Sequence, residues 1–405
     1  MDRLQLRGVC WRVVMRNLQQ RVGLAAALGL LLCAFVATGQ RTVAEAPVGS
    51  EHTCAIGFGG NVKCWGTNFS GQLGDGTNVS HGLPVDVKGL SRDATTIAAG
   101  AEHTCAVVAG NVKCWGANLS GQLGDGANAN RNVPVAVSGL ALPVVYVAAG
   151  GSHTCALSTR GSVKCWGANF AGQLGDGTTV NRSLPVDVAG LPSGVTALAA
   201  GAEHTCALVA GEVRCWGANF AGQLGDGTNA NRDTPTVVAT LPYPATAIAA
   251  GGSHTCAMLA SGQVKCWGSN FSGQLGDGTN TNRNAPVDVV GLSWGVSAVA
   301  AGSEHTCALV AGGTRCWGAN FSGQLGNATS ANHNSPVEVR GLSSGIAAIA
   351  AGAEHTCALD LAGAMRCWGS NHSGQLGDGT TVNRSTPVDV AGLPSERPRV
   401  RWRWL

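Results

Sequence analysis

Charge and aromatic side chains are scarce in this chain. Asp, Glu, Lys and Arg make up 12% of its 405 residues and Phe, Trp and Tyr 5%. So little charge excludes a fold of long amphipathic helices, which need a charged face opposite an apolar one. A formal net charge of +3 is too small to argue for a nucleic-acid partner. Cys-x-x-Cys, the usual zinc spacing, is absent. So are a Ser-His-Asp set, a phosphate loop, the Asp-box of sialidases and a carboxylate pair peculiar to one segment. What is abundant is glycine, with 60 residues, beside 16 cysteines and 44% hydrophobic residues. That apolar content excludes disorder. Many short strands joined by glycine-rich turns, an all-β chain, fit the composition.

The positive charge is concentrated at the start. Arg3, Arg7, Arg12, Arg16 and Arg21 face only Asp2, and an uncharged apolar run follows over 22–38. A basic start, an apolar middle and the small residues Ala37-Thr38-Gly39 read as a secretory signal over 1–39. Ala44-Glu45-Ala46 is a second candidate for processing. The run is at the short limit for a membrane span, so an uncleaved anchor is the other reading. Cys33 follows the bulky Leu32, which argues against lipoprotein processing. Without this segment the remaining chain is close to neutral.

An internal period organises the rest. His-Thr-Cys-Ala recurs at Cys54, Cys105, Cys155, Cys206, Cys256, Cys307 and Cys357, in steps of 50 or 51 residues. Cys-Trp-Gly recurs in step with it at Cys64, Cys114, Cys165, Cys215, Cys266, Cys316 and Cys367. Asn-x-x-Gly-Gln-Leu-Gly follows each Cys-Trp-Gly, and Ala-Ala-Gly precedes most of the His-Thr pairs. Each unit reads as four strands, at 84–87, 95–99, 103–108 and 111–115 in the copy around Cys105, the last two forming a hairpin at Ala109-Gly110. Seven such units over 40–393 predict a seven-bladed β-propeller with four-stranded blades. The chain enters at a degenerate second strand near 43–49 and ends on a first strand at 387–390. The expectation is therefore a ring closed by pairing of the N- and C-terminal strands.

His-Thr-x-Ala, Gly-x-Val-x-x-Trp-Gly and Asn-x-x-Gly-Gln-Leu-Gly, seven times in register over 44–393, resemble the regulator-of-chromosome-condensation repeat. The resemblance implies a seven-bladed propeller but no single function. It extends to a nuclear nucleotide exchange factor for a small GTPase. It also extends to a secreted β-lactamase inhibitory protein (type II), which binds its target through loops on one face. A plant ultraviolet photoreceptor with the same repeat uses a Trp and an Arg before His-Thr. Here Ala, Gly or Ser followed by Glu or Ser stand there, so that activity does not carry over.

Fourteen of the cysteines lie two to a repeat, nine or ten residues apart, on either side of the hairpin turn. Pairing Val108 with Asn111 sets Cys105 directly opposite Cys114, near bridging distance. In the ten-residue spacing a three-residue turn such as Thr159-Arg160-Gly161 returns the same register. With an export signal, this pattern predicts one disulfide per blade and a secreted, periplasmic or cell-surface location. Such a compartment separates the chain from the GTPase.

Several repeated side chains invite a chemical reading. His52, His103, His153, His204, His254, His305 and His355 form a ring that cannot converge on one metal, so a structural hydrogen bond in each repeat is the better account. Asp75, Asp125, Asp176, Asp226, Asp277 and Asp378 stand in Gly-Asp-Gly turns whose oxygen spacing does not match a calcium loop, and Asn327 replaces them in blade six. No catalytic residue, metal or cofactor is expected. Up-and-down strands place the Gly-x-Glu-His links and the long links after Cys-Trp-Gly on one face. That face gathers Glu51, Glu102, Glu203, Glu304 and Glu354, with Ser152 and Ser253 interrupting. It also gathers Arg131, Arg182, Arg232, Arg283 and Arg384, with His81 and His333 at the same position. The residue after the loop Asn is Phe69, Leu119, Phe170, Phe220, Phe271, Phe321 or His372. These either project as anchors for a partner or fold over the next blade.

The resulting expectation is a non-enzymatic extracellular or cell-surface scaffold, monomeric, that offers this face to a protein or glycan. It is expected to meet no nucleic acid, and no membrane beyond an N-terminal anchor. The alternatives are a secreted enzyme inhibitor and, further off, a propeller hydrolase or lyase. The Arg/Trp-rich tail 394–405 reads as an added strand or a membrane-surface contact.

Overall fold

A computed structural model describes residues 43–45, 48–57 and 59–393. The readings placed on 1–39 and on the tail 394–405 lie outside the described residues. Among the described residues there are 28 strands and no helix, arranged as seven antiparallel sheets of four strands each. Each sheet is one propeller blade, built from one continuous stretch of chain in sequence order. Blade 1 consists of Val43–Glu45, His52–Gly57, Val62–Gly66 and His81–Asp86, and blade 2 of Ala94–Ala99, His103–Val108, Asn111–Gly116 and Arg131–Ala136. The first strand of each blade is the innermost, and the Ala-Ala segments of blades 2 to 7 line an axial channel of about 370 Å³.

The hairpin between the second and third strands sets the register of every blade. In blade 2, Val108 pairs with Asn111 across a two-residue turn, with Ala109 at φ 48° and Gly110 at φ 79°. Two successive left-handed residues are what a tight hairpin turn requires to match the twist of its strands. Cys105 then faces Cys114 directly. In blade 3 the longer turn pairs Leu157 with Val163 and returns Cys155 opposite Cys165. All seven cysteine pairs are at disulfide distance, with Cα atoms 4.0–4.1 Å apart. Every one of these cysteines is buried.

The expected closure of the ring by paired terminal strands is not what the structure shows. The Pro-Val strand pairs backwards onto the Cys-Trp-Gly strand of its own repeat, so that Cys64 meets Val85 and Gly66 meets His81. The last strand, Arg384–Asp389, likewise completes blade 7 beside Met365–Gly369, and Val43–Glu45 is the inner strand of blade 1. The physical reason is directional. A loop of fourteen residues between Gly66 and His81 brings the chain back antiparallel along the exposed outer edge of the sheet it has just left.

Closure comes from side chains and loops at the seam, which repeats the other six seams. The Gln375 carbonyl of blade 7 accepts hydrogen bonds from Thr53 Oγ1 (2.8 Å) and Trp65 Nε1 (3.0 Å) of blade 1. Nearer the axis Ala353 N donates to Gly49 O (3.3 Å), and at the rim Gly379 N donates to Gly82 O (3.1 Å). Between these layers Ala55 and Trp65 pack against Leu359, Met365 and Leu376.

The second Gly of Gly-Gln-Leu-Gly shows how tight the seams are. A Cβ on Gly74, whose φ is +68°, would lie 2.7 Å from the Nε1 of Trp115 in the next blade. Gly74→Ala therefore combines backbone strain with a clash against a fully buried indole. It is expected to cost about 3 kcal/mol, read from the shift of the urea midpoint at unchanged slope.

Candidate functional site

The long loop after each Cys-Trp-Gly is held by one buried amide. Asn68 Nδ2 donates to Asp75 Oδ1 and to the carbonyls of Thr77 and Val79, each at 3.1 Å. Its Oδ1 accepts from Leu73 N at 2.9 Å. Two residues on, Ser70 N donates to Gln72 Oε1 at 2.9 Å. With Asn68 directed inwards and Ser70 tied down, the side chain between them is turned out. Phe69 is 78% exposed, Leu119 78%, and Phe170, Phe220, Phe271 and Phe321 71–76%. His372 holds the same exposed position in blade 7. Of the two readings of these residues, the structure selects projection.

The arginines of this face are occupied. Arg131, Arg182, Arg232, Arg283 and Arg384 bond the Oδ2 of Asp125, Asp176, Asp226, Asp277 and Asp378 in their own loops at 2.8–3.0 Å. His81 stands 3.3 Å from Asp75, and Asn327 meets His333 at 3.2 Å. The other aspartate oxygen closes the turn: Asp176 Oδ1 accepts from Thr178 N (3.0 Å) and Thr178 Oγ1 (2.7 Å). Burial pushes the Asp176 carboxyl up, but the hydrogen bonds from Thr178 and Arg182 outweigh it and hold the group below the usual carboxylate range. In the sequence the Asp and the Arg six residues apart stand as separate features of the repeat. Their joint replacement by Asn327 and His333 in one repeat was the signal that they form a pair.

The glutamates are the charges left over. Glu51, Glu102, Glu203, Glu304 and Glu354 are exposed where the first strand turns into the second. Four accept a serine hydroxyl from the preceding blade: Ser373 to Glu51 (3.3 Å), and Ser70, Ser272 and Ser322 to Glu102, Glu304 and Glu354 (2.9 Å each). In the place of that serine, Glu203 has Ala171. Glu102, Glu304 and Glu354 are thus tied to the loops that carry Phe69, Phe271 and Phe321, and Glu51 to the loop of His372. The face is an acidic inner ring within an outer ring of Phe and Leu.

The histidine ring lies underneath and is fully buried. Each Nε2 reaches the threonine of the next blade at 2.8–2.9 Å, from His52 with Thr104 round to His355 with Thr53. Because Thr104 already donates its hydroxyl proton to Gln72 O (2.9 Å), the imidazole must be the donor, which assigns the proton to Nε2. Burial drives these imidazoles down from 6.5, to about 3 for His153 and about 4 for His103. They are neutral, and they bind blade to blade. Among the described residues no group of three or more His, Cys, Asp or Glu is placed to hold a metal.

Sequence comparison agrees with the geometry. The RCC1-like domain matches residues 133–402, and the regulator of chromosome condensation (RCC1) repeat matches 59–107 and 94–122. The chain belongs to the RCC1-like family. Among solved structures, this RCC1-like propeller resembles human WBSCR16, with TM-score 0.74, 24% identity and coverage of 82% of this chain and 93% of the other. It also resembles yeast RCC1 (Prp20) in a crystal structure with bound Kap60, with TM-score 0.73, 21% identity and coverage of 92% and 91%. A second structure of Prp20p from Saccharomyces cerevisiae, described together with its binding to Gsp1p and histones, gives TM-score 0.71 at 22% identity, over 86% and 88%. At these identities the likeness is one of fold.

Proposed function

We propose that this RCC1-like propeller is a non-enzymatic scaffold, acting outside the cytoplasm, whose loop face binds a protein. The observation that carries the reading is the ring of six apolar side chains, each more than 70% exposed, at equivalent positions of six blades. Exposed aromatics beside charge are the usual anchors of protein interfaces. The titratable groups of the face favour binding over chemistry, since the aspartates sit in ion pairs and the histidines are buried and neutral. Yeast Prp20, with the same fold, binds proteins. The seven cysteine pairs are compatible with an oxidising compartment, and the basic and apolar start of the chain fits export.

The test is capture of partners from extracellular and surface fractions. The intact protein is compared with a variant carrying Phe→Ser at 69, 170, 220, 271 and 321. These side chains support little of the core, so the variant is expected to keep its melting temperature within a few degrees. Capture is expected to fall at least tenfold, and a photo-crosslinker at Phe220 should label the partner while one at Ser261, on the opposite face, should not. Undiminished capture by the folded variant sinks the reading.

A further inference from the structure

Near-identical blades make the few departures from the repeat informative, and one of them opens a cavity. The residue before each Cys-Trp-Gly is a cation, and in six blades it has a carboxylate partner. Lys63, Lys164 and Lys265 bond Asp86, Asp187 and Asp288 at 2.7–2.9 Å. Arg315 and Arg366 pair with Glu338 and Asp389 at 3.5 and 3.0 Å. Arg214, whose cross-strand neighbour is Val237, turns instead to Glu212 at 2.6 Å. Lys113 in blade 2 is the exception: its cross-strand neighbour is Ala136, and among the described residues no carboxylate pairs with it. It is only partly exposed.

The same blade is open beside this lysine. A cavity of about 530 Å³ lies between the hairpin at Ala109-Gly110 and the link to blade 3, walled by Lys113, Val137, Leu140, Leu142 and Pro143. Val137 is half-buried, whereas its equivalents Val87, Val188, Val238, Val289, Val339 and Val390 are all buried. Leu140 is half-buried, like Leu191, Leu241 and Leu393, whereas Leu90, Leu292 and Leu342 are at most 1% exposed, so the departure peculiar to blade 2 is at Val137. The cavity occurs on the face opposite the Phe ring, because hairpin turns and blade-to-blade links lie at the other ends of the strands.

We infer that blade 2 holds a binding site for a small amphipathic carboxylate, with Lys113 as its counterion and the apolar wall taking its hydrocarbon part. The size is that of ordinary ligand pockets. The ligand's carboxylate would supply the group that Asp86, Asp187 and Asp288 supply in other blades and that Ala136 lacks. A single ammonium on an apolar wall suits one carboxylate. A phosphate would call for an Arg fork or several converging donors.

Octanoate is the probe, titrated calorimetrically into the full-length oxidised protein, with octanol and octylamine beside it. Saturable binding of octanoate is expected, with octanol and octylamine at least tenfold weaker. Lys113→Met is expected to weaken octanoate about tenfold or more, the size of a lost charge-assisted bond. Ala136→Asp is expected to do the same by restoring the internal ion pair, without lowering the melting temperature. The Phe→Ser variant of the other face should bind octanoate unchanged, so this site stands or falls apart from the protein-binding face. The inference is overturned if octanol or octylamine binds as well as octanoate, or if both variants retain full affinity. Absence of saturable binding below about 10 mM also overturns it.

Discussion

Acidification is expected to unfold this propeller steeply between pH 6.5 and pH 4, well before most of its carboxylates are protonated. Seven imidazoles are buried and neutral, and burial holds each at about 3 or about 4 against 6.5 when solvated. Neighbouring histidines of the ring lower several of them further. The folded values lie below the unfolded one, so the unfolded chain binds more protons throughout this window. The stabilisation is complete above pH 6.5 and is lost as the pH falls towards the folded values. One fully protonated histidine contributes about 1.4 kcal/mol per pH unit, and seven acting together about 10. That slope is large beside a typical total stability of about 5–15 kcal/mol. The paired aspartates, also held below their usual range, extend the loss in the same direction below pH 4. Fluorescence of the seven buried tryptophans, followed through urea titrations at pH 7.5, 6, 5 and 4.5, measures the effect. A midpoint that stays level from pH 6.5 to pH 4.5 would show that the ring is not neutral in the folded state.

Reduction is expected to be as damaging. Each cysteine pair spans 9 or 10 residues of sequence. Chain entropy assigns a loop of that length about 2.7 kcal/mol, and seven of them about 19 kcal/mol. Because the pairs are buried, reductant alone should act slowly at neutral pH and 25 °C. In moderate urea, where blades open, it should reduce all seven pairs, and the alkylated chain should melt at least about 20 °C lower once the denaturant is removed. Mass analysis with alkylation before and after reduction should count fourteen protected thiols. A reduced, alkylated chain that melts within a few degrees of the oxidised one would remove the cross-links from any account of stability.

The acid-sensitive ring and the cross-links were legible to different degrees. Cys105 opposite Cys114 follows from two local facts: a two-residue turn at Ala109-Gly110, and the period of two along each strand. The histidines were visible as a repeated residue with a structural task. Their threonine partners lie 51 or 52 residues away in the next blade, or 302 away at the seam, and no local pattern names them. The loop face was read as a mixture of Glu, Arg and Phe. Its charge balance is set by the bonds from Arg131 and its equivalents to Asp125 and its equivalents, which leave the glutamates as the net charge. Alternation of polar and apolar residues could not show that the Pro-Val strand joins the sheet behind it and not the one ahead.

The sequence by itself determined the number of blades, the hairpin register, the cysteine pairing and which residues recur on one face. Those follow from periodicity and short turns, which act within some ten residues. Tertiary structure decided how the ring closes, that Phe69 and its equivalents project, and that the face carries an acidic inner ring. It also decided that, among the described residues, Lys113 is left without a counterion beside an open cavity. Each of these depends on what packs against a residue from another strand or blade. A repeat that is almost the same seven times fixes its local geometry well, and says little about which neighbour each copy will meet.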